Sequence, residues 1–273
     1  MPLWLDHAFL RTVDALYGLR RHRASAEQLA ACRVVSHRGE KDNRAVIENT
    51  YGAFDPLRGS GVFGLELDVR WTRDRVPVVF HDADFRRLYD SPARLAELDL
   101  AEAQARFPQV PTLAELVRRY TAEFHLFVEL KHERYPDPAL QDRRLAEALA
   151  PALSAQRCHV MSLRPEMFAL LPSLPARQTL GIARLNAGAI SAEALAAGRG
   201  GFACHYTALR AHHIREHRAA GQKIGAGFPS SRALLHREAA RGVDWIFSDR
   251  ARQLERWRRE GPPPTRGTPA ARG

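Results

Sequence analysis

The chain is poor in cysteine and lysine and has no long apolar run, and each shortage closes off a class of proteins. Its three cysteines, Cys32, Cys158 and Cys204, lie far apart in 273 residues. That spacing is neither a disulfide framework nor a zinc site, so all three read as reduced core residues, because a free cysteine behaves as a small buried hydrophobe. No apolar run approaches the roughly 18 residues of a membrane span. The first residues lack the pattern of a secretory signal, since Asp6, Arg11 and Asp14 interrupt their apolar positions and no small-residue cleavage site follows. A cytoplasmic location is the expectation. Lys41, Lys131 and Lys223 are the only lysines, so the formal net charge of +10 is almost all arginine. Such a surplus suits anionic partners such as phosphate esters, lipid headgroups or nucleic acid. The arginines are dispersed apart from "LRRHR" and "RWRRE", and neither a nucleic-acid-binding motif nor an internal repeat is present. What remains, 45% hydrophobic and 26% charged, is the composition of a globular protein with a substantial core.

Along the chain, Leu5, Phe9, Val13 and Leu16 recur at helical spacing. They predict an N-terminal helical extension over residues 1–30, packed across one end of the fold. Trp4 and the following basic cluster would give that helix a weak membrane-surface contact. From Arg33 onward, short apolar runs at 33–36, 64–69, 76–81, 125–131, 157–162, 179–184, 201–206, 222–227 and 243–247 alternate with helical segments. Strand–helix alternation of this length predicts a parallel sheet with helices outside, and about eight such units make a (β/α)8 barrel, here over residues 31–255. Only "VRWTRDR" separates Asp68 from Val76, too little for a crossover helix. The barrel is therefore expected to be distorted near its second and third strands, and one of the nine runs does not belong to the barrel. Residues 256–273 end in a proline- and glycine-rich stretch that reads as a disordered tail.

Charges interrupt four consecutive runs near the same end: His37 and Arg38, then Glu66 and Asp68, then His81 and Asp82, then Glu129 and Lys131. A strand buried on both faces should be continuously apolar, and buried charge is costly unless it pairs or binds an ion. Glu66 and Asp68 are two apart and share one face of a strand, as do Glu129 and Lys131. Three carboxylates converging at one rim need a cation, and oxygen ligands suit Mg2+ or Ca2+. Two histidines beside such a cation suggest a general base and a general acid. Arg38 and Lys131 would face an anionic substrate. The combination points to phosphoester hydrolysis.

In their order, "SHRG", "ENTYGAF", "GLELDVRWTRDRVPVVFHD", "PTLAELV" and "FVELK" resemble the glycerophosphodiester phosphodiesterase family, and "VDWIFSD" resembles that family's closing strand. The resemblance runs over about residues 33–250. It implies a TIM-type barrel and metal-dependent hydrolysis of glycerophosphodiesters to an alcohol and sn-glycerol 3-phosphate. It also implies His37 and His81 as the acid–base pair, Glu66, Asp68 and Glu129 as the metal carboxylates, and Arg38 and Lys131 as phosphate contacts. Glu48 and Asn49 match a polar pair at the start of the first helix, with Glu48 expected near the metal or Arg38.

Departures from the family pattern fall around the substrate pocket. Ile47 stands where proline is usual before "ENT", "ADFRRLYDS" follows "HD" where the family has an arginine followed by threonines, and "IGAGFPSSR" replaces a tryptophan–threonine pair, so that Phe228 would take over an aromatic role. These leave the leaving alcohol open. His205, at the end of a late strand, is a further candidate for the site. His212, His213, His217 and His236 read as exposed helix residues, and His125 lies at the end of its strand away from the site. The alternatives are a lysophospholipase D-like activity on lipid substrates and a non-catalytic phosphoester-binding barrel.

Overall fold

The computed structural model describes residues 23–262. Eight parallel strands close into a barrel: β1 (Arg33–His37), β2 (Gly64–Trp71), β4 (His125–Leu130), β5 (Cys158–Ser162), β6 (Thr179–Ala183), β7 (Gly201–His205), β8 (Lys223–Gly227) and β9 (Trp245–Ser248). β1 pairs with β2 on one side and β9 on the other, which completes the ring. The ninth strand, β3 (Pro77–Val79), is the one outside it. β3 pairs antiparallel to β2, with Val69 opposite Val79 and Trp71 opposite Pro77. The expected distortion is thus a hairpin. β2 overshoots the rim, Arg75 turns the chain at φ 64°, and the Thr72 hydroxyl ties down Asp74 and Val76. His81 therefore reaches the rim on a chain running back toward it, not at the end of a parallel strand.

The two-residue period of the strands sorts their side chains into two cores. Val34, Leu65, Leu67, Val69, Leu126, Val128 and Ile246 face the surrounding helices in the larger cluster. Val35, Phe127, Met161, Leu180, Ala203, Trp245 and Phe247 form a separate cluster that fills the barrel. Its alternation places the next residues of the same rows, His37, Glu66, Asp68, Glu129 and Asp249, on the inner side at the C-terminal mouth. The floor below is a histidine pair, His125 Nε2 to His159 Nδ1 at 2.7 Å, packed on Trp245; burial pulls both pKa values down, to about 3 and about 4.

The helices follow their caps. Thr112, with Glu115 reaching back, starts Leu113–Tyr120, and Asp137 starts Pro138–Ser154. Residues 82–111 form turns and short helices around a satellite core in which Phe85 and Phe107 stack at 3.7 Å. Two expectations need correction. Helix Ala251–Glu260 continues beyond residue 255, so residues 256–260 are helical; the rest of the expected tail from 263 lies outside the described residues. His213, His217 and His236 are buried rather than exposed. His217 holds Ser191 on one ring nitrogen and Gln222 on the other, which satisfies an imidazole in a core. The helical extension over residues 1–30 can be compared only from residue 23, where Ala26–Ala31 is helical with Ser25 as its cap; residues 1–22 lie outside the described residues. All three cysteines are buried and unpaired with one another.

Candidate active site

The mouth is shaped first by backbone. After β1, Arg38 and Gly39 take φ of 60° and 86°. A side chain at 39 would sit 2.6 Å from the Ala53 Cβ, so only glycine lets the loop close there. The turn swings Arg38 over β2, placing its Nε 2.9 Å from Asp68 Oδ2 and its guanidinium 3.2 Å from Glu48 Oε1. Asn49, also left-handed at φ 62°, donates to Asp68 Oδ2 at 2.8 Å. Strained residues held on both sides of one carboxylate mark a position fixed by more than packing.

Glu66, Asp68 and Glu129 lie beneath this loop, with one carboxylate oxygen of each within 4.8 Å of the others. All three are buried. Lys131 Nζ is 2.5 Å from both Asp68 Oδ1 and Glu129 Oε1. Burial alone would lower the Lys131 pKa, but the two carboxylates outweigh it and hold the ammonium charged. Burial works against Asp68 too; Arg38 and Lys131 reverse it and keep that group ionised. Glu66 has no such support. Burial, with Asp68 and Glu129 beside it, raises its pKa well above the usual carboxylate range, and its Oε2 has no hydrogen-bond partner among the described residues. A buried oxygen without a partner, in an all-oxygen set of this spacing, is what a hard divalent cation fits.

Each of the two expected histidines is held by a carboxylate on Nδ1. His37 Nδ1 is 2.8 Å from Asp249 Oδ1, and its Nε2 faces Glu66 Oε2 at 3.8 Å. His81 Nδ1 is 2.6 Å from Asp82 Oδ1. With Nδ1–H donated to the carboxylate, each Nε2 is left to exchange protons. The cleft continues from His37 and Arg38 past Met161, Leu163, Ile182 and Ala203 to His205 and Phe228. Phe228 meets the His37 ring edge-on at 4.9 Å, and His205 Nδ1 lies 2.7 Å from the Thr207 hydroxyl. The residues that the sequence offered as candidates for the site lie at this one mouth.

Residues 37–175 match the glycerophosphoryl diester phosphodiesterase family. The chain belongs to that family. It is 27% identical over 235 residues to a Bacillus subtilis protein provisionally named a glycerophosphodiester phosphodiesterase, covering 79% of this chain and 93% of that one. The glycerophosphodiester phosphodiesterase structure from Agrobacterium tumefaciens superposes with a TM-score of 0.67 at 25% identity, over 82% of this chain and 99% of that one. A phosphodiesterase from Oleispira antarctica, solved with the product sn-glycerol-3-phosphate, superposes at 0.66 with 21% identity, over 82% and 96%. Other curated glycerophosphodiester phosphodiesterases are matched over half of their length or less.

Three residues of this family member's mouth escaped the sequence reading. Asp249 was legible in principle: Trp245, Phe247 and Asp249 alternate, so the carboxylate ends an inward row. Lys41 was not. It lies in an irregular loop and is placed by two contacts, the His37 carbonyl and Asp249 Oδ1, each at 2.5 Å. Burial opposes ionisation of Asp249, yet His37 and Lys41 bring its pKa well below the usual value. Arg87 is the third. It reaches Asp82 Oδ2 with Nε and Glu48 Oε1 with its terminal nitrogen, both at 2.6 Å. An unbroken chain of pairs thus runs His81–Asp82–Arg87–Glu48–Arg38–Asp68. Arg87 and His81 together pull the Asp82 carboxyl down to about 2 against the opposing effect of burial. Arg87→Gln takes one partner from each of Asp82 and Glu48 and frees the His81–Asp82 pair to tilt. Steady-state kinetics should show kcat lowered by about 10- to 100-fold, as expected for a small misplacement of a reacting group. Arg87→Lys should recover only part, because an ammonium cannot span both partners as a guanidinium fork does.

Proposed function

We propose that the protein hydrolyses glycerophosphodiesters to an alcohol and sn-glycerol 3-phosphate, with Glu66, Asp68 and Glu129 holding a divalent cation, Mg2+ or Ca2+. The observation that carries this reading is the buried carboxylate trio with an unpartnered Glu66 oxygen directly beside the His37 imidazole. The product seen in the Oleispira antarctica phosphodiesterase supports the same chemistry here.

The cation, when bound, would polarise the phosphoryl oxygens and offset charge developing on phosphorus. The chain's own groups do the rest. Arg38 and Lys131 present positive charge toward the diester while Asp68, Asn49 and Glu48 fix their directions. His37 is biased neutral, chiefly by burial, although Asp249 pulls the other way. It is therefore ready to accept a proton at Nε2, and Asp249 would stabilise the imidazolium that results. His81, just after β3 and held by Asp82, exchanges a proton at its own Nε2. One histidine takes a proton and the other gives one, and the symmetry of their carboxylate partners leaves the order to kinetics. The apolar wall formed by Met161, Leu163, Ile182 and Ala203 favours a second reading, in which the leaving alcohol carries a lipid chain.

The deciding experiment is product identification over a panel of glycerophospho-alcohols and lysophospholipids, each with Mg2+ or Ca2+ and again with excess chelator. Release of sn-glycerol 3-phosphate from at least one glycerophospho-alcohol, lost with the chelator, is the expected result. Binding without turnover across the panel would leave a phosphoester-binding barrel, and full activity in chelator would end the metal assignment.

A further inference from the structure

The two histidines of the mouth are anchored unequally along the backbone. His37 is the last residue of a barrel strand and stands opposite Glu66 in the β1–β2 register. His81 lies past the end of β3, whose ladder with β2 stops at Val69 and Val79. Phe80 still donates its N–H to the Asp68 carbonyl at 2.9 Å. One residue later the ladder is gone. Among the described residues, a single hydrogen bond reaches the His81 main chain: Arg70 Nε donates to its carbonyl at 2.7 Å.

β2 places Arg70 for this contact. Leu65, Leu67, Val69 and Trp71 face the helices, so Glu66, Asp68 and Arg70 form one inward row. Arg70 is the last member of that row, next after Asp68. A guanidinium is a costly choice there, because its side chain is only 13% exposed. Its countercharge comes from the segment after β4: Arg70 Nη1 lies 3.7 Å from Glu133 Oε2. At that distance Glu133 balances charge without a hydrogen bond. The His81 carbonyl is then the one hydrogen-bond acceptor that Arg70 has among the described residues, and an ionised donor makes such a bond a strong one.

The ring and the main chain of His81 thus have separate anchors. From Nδ1, Asp82 and Arg87 lead to Glu48 in the loop after β1. From the carbonyl, Arg70 leads to β2 itself. Asp82 turns the ring, but it is the next residue in the chain and cannot by itself fix where the main chain stands.

We propose that Arg70 is a positioning residue for the reaction: it holds the His81 main chain against the barrel and so sets where His81 Nε2 stands relative to the diester. This rests on the reading of His81 as one of the two proton-exchanging groups.

The test is a mutant cycle on sn-glycerol 3-phosphate release by the full chain. Arg70→Met keeps the unbranched stem and removes the donor. It should lower kcat about 10- to 100-fold and leave KM within about threefold. In a His81→Ala background the same change should cost less than about twofold, because the group that it positions is gone. Arg70→Lys should recover only part, since an ammonium cannot serve the carbonyl and Glu133 as the guanidinium does. Glu133→Gln removes only the countercharge and takes the place of Arg70→Met if that variant does not fold; its smaller loss of kcat should likewise vanish in the His81→Ala background. A second readout needs no turnover. The ring signals of isotope-labelled histidine, with those of His81 identified by their loss in His81→Ala, should shift or broaden for His81 in Arg70→Met and stay in place for His37. A kcat unchanged in Arg70→Met, or unmoved His81 signals, would overturn the proposal. An equal loss with and without His81 would assign the guanidinium to the substrate itself and overturn it as well. Full activity in His81→Ala would end the reading of His81, and the proposal with it.

Discussion

His37→Ala removes nearly all activity, by about three to four orders of magnitude in kcat, the range expected when a positioned acid–base group is lost. The size of the effect follows from how the residue is held. The His37 side chain is largely buried at the mouth, its Nδ1 is fixed by Asp249, and its ring edge rests on Phe228. No neighbouring group can take its place, because Glu66 is assigned to the proposed cation and Lys41 is engaged by Asp249. KM should change much less than kcat, since Arg38 and Lys131, the proposed phosphate contacts, are unaltered. Asp249→Asn should fall between the variant and the wild type: the imidazole remains, but its Nδ1 partner no longer stabilises the charged form. Initial-rate kinetics on sn-glycerol 3-phosphate release check this. A His37→Ala enzyme within about tenfold of wild type would remove the residue from the proton-transfer chemistry.

Glu66→Gln should separate function from stability. Replacing one of three carboxylates with a neutral amide lowers affinity for the divalent cation by at least about a hundredfold, and activity with it. In chelator, the same substitution should make the protein more stable by on the order of 1 kcal/mol, because it removes a buried acidic group crowded by two others. Calorimetric titration with Mg2+ and Ca2+ measures the first effect, and thermal unfolding in chelator the second. The opposite shifts are diagnostic, since a merely structural glutamate would lose stability when changed. Cation added to the wild type should raise its midpoint, by about 2.7 kcal/mol of stability at a hundredfold excess over Kd, and should do so only weakly for the variant.

Much of this arrangement could be read before any coordinates. Apolar runs broken by charge at a common end give the barrel, because a strand buried on both faces has no other reason to carry Glu66 and Asp68 two residues apart. The two-residue period also fixes which side of each strand faces inward. It fails where the chain reverses: β3 looks like a barrel strand in sequence, and only its pairing with β2 shows a hairpin that carries His81 back to the rim. Tertiary contacts that cross long stretches of sequence were illegible. Arg87 meets Glu48 across 39 residues and Lys41 meets Asp249 across 208, and neither pair leaves a local pattern. The buried His213, His217 and His236 were misplaced for a related reason, since a polar ring on a helix reads as surface until its partners are known. Helix Ala251–Glu260 was missed because its buried stripe includes Glu255, whose carboxylate is held by Arg258 and Arg259, so its apolar signal is thin.

The central claim is spatial: one divalent cation lies among Glu66, Asp68 and Glu129, next to His37. Crystals grown with Mn2+ and measured near the manganese absorption edge test it most directly. The account predicts one strong anomalous peak within coordination distance of those three carboxylates, absent in Glu66→Gln. A peak elsewhere, or none at concentrations that support full turnover, would contradict it.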